Sequence, residues 1–221
     1  SRRRQRQMCI RDSIDVCSKR FLTNKVDRSV SGLIAQQQCV GPFHTPLSNY
    51  AITSLSYFDN VGAVTAVGER PILGLLSDKS CARMALGEMI TNMMGVYIKD
   101  IENIKCSGNW MWSNNTEEQS YKLYNTCYYL TEILNNIGVG IDGGKDSLSM
   151  SVKINNDIVN SPGNIVITGY SSVPSLNLKV TPEFKRHDSS IIFIDISNEY
   201  MSMVGSILMK INDCLCKKTP D

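Results

Sequence analysis

The sequence predicts a mixed α/β or α+β domain, because strand-like and helix-like stretches alternate along the chain from residue 14 onward. In residues 79–99 the apolar side chains recur every three to four positions, which is the spacing of a helix with a buried face. Residues 165–170 form a short apolar run that is typical of a buried strand. With 221 residues, 42% of them hydrophobic, the chain is long enough to bury a core.

Two further elements complete the predicted lobe. Residues 51–56 alternate with the period of a strand and follow turn signals at Gly41, Pro42 and Pro46. A second helix is predicted over residues 117–137. Thr116 and Gln119 fit a capping box at its start, and Gly138 is placed to stop it.

A boundary is predicted after residue 175, where polar residues and Pro182 interrupt the pattern. Beyond it, residues 191–196 have the composition of a strand and residues 201–215 the spacing of a helix. One strand and one helix are too few to close a core. We therefore expect a lobe over residues 14–175, followed by a linker and the truncated start of a second lobe over residues 176–221.

The first dozen residues hold the excess positive charge of the chain. Five arginines face one aspartate there, while the whole chain carries a formal charge of only +2. Such an arm could bind nucleic acid or be disordered. Residues 3–12 also resemble the in-frame translation of a sequencing adapter, and we favour a non-native arm over residues 1–13. Resequencing of the 5′ end of the transcript would test this. The missing initiator methionine and the abrupt end predict a fragment.

The cysteine and histidine content argues against several classes of site. The eight cysteines are scattered without metal-ligand or disulfide spacing, which favours a reducing, cytoplasmic compartment. His44 and His187 are the only histidines, so chemistry built on histidine is poorly supplied. No apolar run approaches the roughly 20 residues that a membrane span needs. We expect neither a membrane nor a nucleic acid as partner.

Glu88 and Asn92 are the first candidate site. They are four residues apart on the predicted helix, so both project from one face. A carboxylate and an amide oxygen suit a hard cation such as Mg²⁺, which often bridges to phosphates. The alternative interpretation is a solvated polar stripe. The helix is apolar around most of its circumference, however, and polar groups in such surroundings need partners.

Residues 141–147 are the second candidate. Gly143 and Gly144 are followed by Lys145 and Ser147, which predicts a glycine loop whose backbone and lysine could receive a phosphate. The glycine spacing is not that of a Walker loop, and a plain turn is the alternative. Both tryptophans, Trp110 and Trp112, could stack on a base or ring, although burial beside a turn is their simpler role. Neither Cys81 nor Cys106 has a histidine nearby in sequence, so a catalytic triad has no support.

Five blocks of the sequence together resemble phosphoribosylformylglycinamidine synthase of the eukaryotic type. The resemblance spans about residues 14–200 in the order of that family. The blocks are FLTNKVDRSV (21–30), GLIAQQQCVGP (32–42), GERP (68–71), KCSGNWMW (105–112) and DGGKDSLSM (142–150).

The resemblance implies a ligase of purine biosynthesis that uses ATP and glutamine to convert formylglycinamide ribonucleotide into the amidine. It implies two fused copies of the aminoimidazole ribonucleotide synthetase fold, whose sheets pack into a shared barrel. This chain matches the N-terminal lobe of the second copy and the start of its C-terminal lobe. The catalytic residues and the glutaminase would then lie in other domains of the same parent chain.

The resemblance also implies an auxiliary nucleotide, ATP or ADP, bound through magnesium. By this resemblance, three of the metal ligands would be Glu88, Asn92 and Asn49. The implied nucleotide contacts are Ser48, Lys19, Lys145 and Ser147. The family usually has an aspartate at the position of Asn49. Because an amide brings no negative charge, we expect weaker binding of the metal–nucleotide complex. The alternative is a structural or interaction domain whose nucleotide site has decayed.

Overall fold

The computed structural model describes residues 13, 16–20, 22, 32–37, 39–44, 47–195, 202–212 and 219–220. Within these ranges the strands are β1 (Ile34–Gln36), β2 (Tyr50–Ser54), β3 (Gly62–Glu69), β4 (Lys105–Met111), β5 (Gly140–Ser147), β6 (Ser151–Ile154), β7 (Asp157–Asn160) and β8 (Asn164–Val173). The helices are α1 (Pro71–Gly74), α2 (Asp78–Met93), α3 (Glu117–Ile137) and α4 (Ile207–Ile211), with a 3₁₀ turn at Ile101–Asn103. No helix in the described ranges combines the length and apolarity needed to cross a membrane.

Six strands form one mixed sheet in the order β1-β2-β3-β8-β4-β5. All neighbours are antiparallel except β4 and β5, which α3 connects in parallel. Strands β6 and β7 form a separate two-stranded hairpin. The mixed α/β class is therefore confirmed.

Helices α2 and α3 cover one face of the sheet. Along β3 and β8 every second side chain is buried, as expected for strands with one covered face. The buried face of α2 lies against this side, with Ala85 and Met89 fully enclosed. The contact is close, because a β-carbon on Gly68 of β3 would lie 2.1 Å from the Ala85 carbonyl oxygen. Only glycine at residue 68 permits this approach of α2 to the end of β3.

Helix α3 begins and ends as the sequence predicts. Thr116 accepts a hydrogen bond from the backbone nitrogen of Gln119 at 3.2 Å, which caps the first turn. Gly138 ends the helix with φ +74°, a left-handed conformation that favours glycine. The strands predicted at residues 51–56 and 165–170 are likewise present, as β2 and β8.

Helix α2 ends earlier than predicted. The expected helix runs over residues 79–99, whereas α2 stops at Met93. Val180 donates a backbone hydrogen bond to the Gly95 carbonyl at 2.7 Å, and Val96 forms an isolated bridge with Lys179. Pairing with this later segment supplies partners for the backbone after α2, and it competes with further helix.

The C-terminal predictions are only partly visible. Residues 191–195 have no regular structure, and their apolar side chains are about 80% exposed, as Ile191 and Ile192 show. The prediction of a strand there is wrong for these residues, which pair with no strand among the described residues. Residue 196 lies outside the described residues. Of the helix predicted over residues 201–215, only α4 is helical within the described residues. The prediction is wrong for residues 202–206, which are described and not helical, while residues 201 and 213–215 lie outside the described residues. The arm at residues 1–12 also lies outside, and the boundary after residue 175 stays a prediction.

The second face of the sheet is open within the described residues. Its side chains are exposed or half-buried and include Thr65, Val67 and Glu69 of β3, with Val67 45% exposed. Tyr170 of β8 lies on the same face and donates a hydrogen bond to Asp142 of β5. An apolar residue exposed at the centre of a six-stranded sheet indicates a surface that another element covers.

Candidate functional site

Glu88 and Asn92 both point from α2 to the end of β3. Glu88 Oε2 accepts a hydrogen bond from the backbone nitrogen of Glu69 at 2.8 Å. Asn92 Nδ2 donates to the carbonyl oxygen of Val67, also at 2.8 Å. The predicted placement of both side chains on one face is confirmed. Each satisfies part of its hydrogen-bonding capacity on the backbone of β3, which fixes the orientation of the two groups.

The second carboxylate oxygen of Glu88 faces Arg70. Arg70 Nη2 lies 3.1 Å from Glu88 Oε1, and the two side chains are 43% and 25% exposed. A carboxylate has about four lone-pair positions, so two hydrogen bonds leave capacity for a further ligand. At this exposure the ion pair contributes little to stability, about 1 kcal/mol at most. The pair is therefore open to exchange of partners.

Asn49 and Ser48 precede β2 at the same end of the sheet. Tyr50, the first residue of β2, pairs with Ala66 of β3, so Asn49 lies level with the residue whose carbonyl receives Asn92. The side chain of Asn49 is exposed. Ser48 is buried, and its hydroxyl donates to the Tyr50 carbonyl at 3.1 Å. The fold thus brings Glu88, Asn92 and Asn49 to one end of β2 and β3.

A cavity of about 590 Å³ opens beside Glu88. It is lined by Lys19, Glu69, Arg70, Glu88, residues 71–73 and residues 205–207. Two cationic and two anionic side chains therefore face one space, an arrangement suited to a ligand that carries both phosphate and metal. Asn92 follows one helical turn after Glu88, and neither it nor Asn49 is among the lining residues. Within the described residues no group of three or more His, Cys, Asp or Glu side chains could hold a metal.

Lys145 and Ser147 lie elsewhere, on the edge strand β5. The strand register relates Lys145 to the end of β3. Lys145 pairs with Asn109 of β4, and Asn109 also pairs with Val166 of β8. Val166 pairs with Glu69, the last residue of β3. Lys145 is therefore level with the end of β3 but three strands away, a distance of about 14 Å. Lys145 Nζ donates to the hydroxyl of Ser147. The structure does not bring these two residues into the cavity beside Glu88.

The prediction of a glycine loop at residues 141–147 is wrong. Residues 140–147 are β5, and its residues 143–147 pair one by one with residues 107–111 of β4. The edge of β4 offers unpaired backbone groups, and an extended segment can form hydrogen bonds with them. This pairing stabilises an extended backbone at residues 143–147 in preference to a turn. The prediction rested on the local sequence, which does not show that an open strand edge lies alongside.

Two buried thiols, those of Cys81 and Cys106, are poorly suited to act as nucleophiles. Burial raises the pKa of the Cys81 thiol to about 11. Burial also raises the pKa of the Cys106 thiol to about 11, and the nearby negative charge of Asp142 adds to the effect. Both groups are therefore protonated near neutral pH and unreactive. Trp112 is fully buried, as its simpler predicted role requires, and Trp110 is partly buried.

Two residues of the cavity were missed in the sequence. Glu69 and Arg70 belong to the block GERP. Glu69 ends β3 and Arg70 follows it, and this position becomes significant only when α2 packs alongside. Glu69 Oε2 accepts from Asn164 Nδ2 at 3.1 Å, so the Glu69 side chain is also held in place. A charged pair at the end of an alternating strand is the signal that could have drawn attention to them.

Comparisons with known proteins agree on the family. The family model described as "FGAR-AT PurM_N-like domain" matches residues 18–172. Phosphoribosylformylglycinamidine synthase of Drosophila melanogaster is 42% identical over 212 residues, which is 94% of this chain and 16% of the fly protein. The human protein of the same name is 40% identical and covers 93% of this chain and 16% of its own length. The chain thus spans about one sixth of these relatives.

Solved structures show the same fold at low identity. PurLQS from Thermotoga maritima superposes with a TM-score of 0.56 at 16% identity, over 76% of this chain and 25% of that one. The structure titled "T. maritima PurL complexed with ADP" gives 0.55 at 16% identity, over 78% of this chain and 26% of that one. These likenesses concern the fold.

Proposed function

The chain belongs to the phosphoribosylformylglycinamidine synthase family through its FGAR-AT PurM_N-like domain, and on this premise we propose that it forms the auxiliary nucleotide-binding half of such an enzyme. The parent protein would be a carbon–nitrogen ligase of purine biosynthesis that takes its nitrogen from glutamine and its energy from ATP. The observation that carries the proposal is the placement of Glu88, Arg70 and Lys19 around one cavity.

The oxygen atoms that we propose as metal ligands are of the kind that Mg²⁺ prefers. Glu88 offers a carboxylate, while Asn92 is bound to the Val67 carbonyl through its Nδ2, which leaves its amide oxygen as an acceptor. Asn49 offers a second amide oxygen at the same end of the sheet. Oxygen ligands of this kind suit Mg²⁺, which usually keeps several waters and bridges to phosphates. When bound, the metal would neutralise phosphate charge.

The nucleotide phosphates would lie against Lys19, which lines the same cavity as Glu88. Ser48 acts indirectly in this scheme, because its hydroxyl is bonded to the Tyr50 carbonyl and holds the backbone beside Asn49. Lys145 and Ser147 face the open side of the sheet about 14 Å from the end of β3. We assign them to a phosphate in the adjoining substrate cleft, of which β5 would form one wall.

The open face of the sheet supports the placement within a larger protein. Val67 is 45% exposed at its centre, and a partner sheet would bury it. The relatives are about six times as long as this chain, so further synthetase and glutaminase domains would supply that partner. The cytoplasm is the proposed compartment, and a fluorescent fusion of the complete protein tests it; the Arabidopsis relative is named chloroplastic/mitochondrial.

The nucleotide content of the purified complete protein tests the proposal. We expect tightly retained ADP with Mg²⁺ in the wild type and its loss in Glu88→Ala. Glu132→Ala is the matched control, because Glu132 is an exposed glutamate on α3, away from the cavity. Unchanged occupancy in Glu88→Ala would refute the assignment of Glu88 as a ligand.

A second function is favoured by one observation, the amide at residue 49. If the loss of that charge has abolished binding, the domain serves as a structural partner of the catalytic half. In that case the purified complete protein would contain no nucleotide in this half while retaining normal ligase activity. The same measurement of nucleotide content therefore separates the two functions.

A further inference from the structure

We infer that Arg70 is an exchangeable counterion, which pairs with Glu88 when the metal is absent and transfers to the nucleotide phosphates when Mg²⁺ takes Glu88. The inference rests on the proposed function and adds a residue and a coupling to it. Arg70 would make binding of the metal and of the nucleotide depend on each other.

The first support is the contact itself. Glu88 Oε1 lies 3.1 Å from Arg70 Nη2, while Oε2 is bound to the backbone of Glu69. The bond to the backbone keeps the carboxylate in place, so only its partner on Oε1 changes during the exchange. A dication and a guanidinium bound to that same oxygen would repel each other, because both carry positive charge close together, so binding of the metal favours release of Arg70.

The second support is the freedom of the Arg70 side chain on a held backbone. The Arg70 carbonyl accepts hydrogen bonds from Gly74 nitrogen at 3.2 Å and from Cys81 Sγ at 3.6 Å, and Pro71 restricts the chain directly after it. The side chain, by contrast, is 43% exposed and lines the cavity together with Lys19. It can therefore turn from Glu88 towards a ligand in the cavity while its own backbone stays fixed.

The third support is the charge of the cavity. Lys19 and Arg70 balance Glu69 and Glu88, so the lining is neutral before any ligand enters. A metal alone would break the ion pair and leave Arg70 beside a dication. A nucleotide alone would bring its phosphates towards two carboxylates. When both bind together, the metal would bind Glu88 and the phosphates would bind Arg70, because the planar guanidinium group can donate two hydrogen bonds to phosphate oxygens.

Calorimetry on the complete protein tests the coupling. ADP is titrated with saturating Mg²⁺ and again with EDTA, and Mn²⁺ alone is titrated and followed by its electron paramagnetic resonance signal. Glu88→Ala serves as the blank that accounts for other nucleotide sites. We expect ADP to bind the wild type about tenfold more tightly with the metal than without it, within the usual range of coupling between sites.

Arg70→Gln is the decisive variant, and Arg70→Lys accompanies it. In Arg70→Gln we expect the coupling to fall below about threefold and Mn²⁺ alone to bind more tightly than in the wild type, because its competitor for Glu88 is gone. Arg70→Lys keeps the charge without the fork and should retain part of the coupling. If the ion pair were merely structural, its loss would leave the coupling between ADP and Mg²⁺ unchanged.

The outcomes separate the two proposals. If Arg70→Gln and Arg70→Lys both couple ADP and Mg²⁺ as the wild type does, while Glu88→Ala still abolishes binding, the role of Arg70 is overturned and the nucleotide site stands. If the wild type binds no more ADP than Glu88→Ala does, the nucleotide site itself is refuted, and the role of Arg70 with it.

Discussion

The end of β3 and the edge strand β5 differ in how the fold holds their charged residues. At the end of β3, Glu88 is bonded to a backbone nitrogen and to Arg70, and Asn92 to a backbone carbonyl. On β5, Lys145 is exposed and bonds to its near neighbour Ser147. Packing of a helix against a strand positions functional groups from distant parts of the chain, whereas an edge strand leaves them dependent on a partner.

The largest expected effect comes from the close packing that creates the first region. Gly68→Ala places a β-carbon 2.1 Å from the Ala85 carbonyl oxygen and 2.5 Å from the Met89 nitrogen, both backbone atoms of α2. We expect the opening free energy of α2 to fall by about 2 kcal/mol, measured by amide hydrogen exchange with mass spectrometry. The substitution should also weaken ADP binding, because Glu88 moves with α2.

Gly87→Ala is the matched control for this substitution. Gly87 also lies on α2, but a β-carbon there would meet nothing within 4 Å. Alanine should stabilise the helix by up to about 1 kcal/mol. Equal exchange rates in the two variants would show that the approach of α2 to β3 is less close than the structure indicates.

The second prediction compares the lysines of the two regions. Lys19→Ala should weaken ADP binding in the presence of Mg²⁺ about tenfold, since a charge-assisted contact contributes about 1.5–3 kcal/mol. Lys145→Ala should change it less than about twofold, because a charge about 14 Å away is beyond the screening length at physiological salt. Calorimetry measures both. A loss in Lys145→Ala that matches the loss in Lys19→Ala would place the nucleotide across the sheet.

The third prediction tests the proposed metal site. Asn49→Asp adds a negative charge beside Glu88 and Asn92 at the end of the sheet, and Asn49 is exposed, so the change should leave the fold intact. We expect ADP to bind several-fold more tightly with Mg²⁺ present and no more tightly in EDTA. Tighter binding under both conditions would indicate a contact to the nucleotide rather than to the metal.

The smallest expected effect concerns the second region alone. The hydrogen bond from Tyr170 to the Asp142 carboxylate raises the pKa of the Tyr170 phenol above its usual 10, because deprotonation would lose the bond and oppose two negative charges. In Asp142→Asn the pKa of Tyr170 should fall back towards 10. Titration of ¹³C-labelled tyrosine by NMR shows this. A pKa that does not change would mean that the two side chains do not meet.

Much of the fold was predictable because it depends on local patterns. The cap at Thr116, the left-handed Gly138 and the alternation along β8 all reside in short stretches whose chemistry is independent of the rest of the chain. The shared face of Glu88 and Asn92 follows in the same way from four-residue spacing on a helix. Family membership, too, was predictable from the five matching blocks.

The tertiary structure alone decided what faces the cavity. Arg70 meets Glu88 across 18 positions of sequence, and Lys19 reaches the same space from a segment before the sheet. It also decided that residues 140–147 extend as β5 instead of forming a loop, because the partner edge on β4 comes from more than thirty residues earlier. Local patterns determine which element a segment forms, but pairing and packing between distant segments determine which charges share one space.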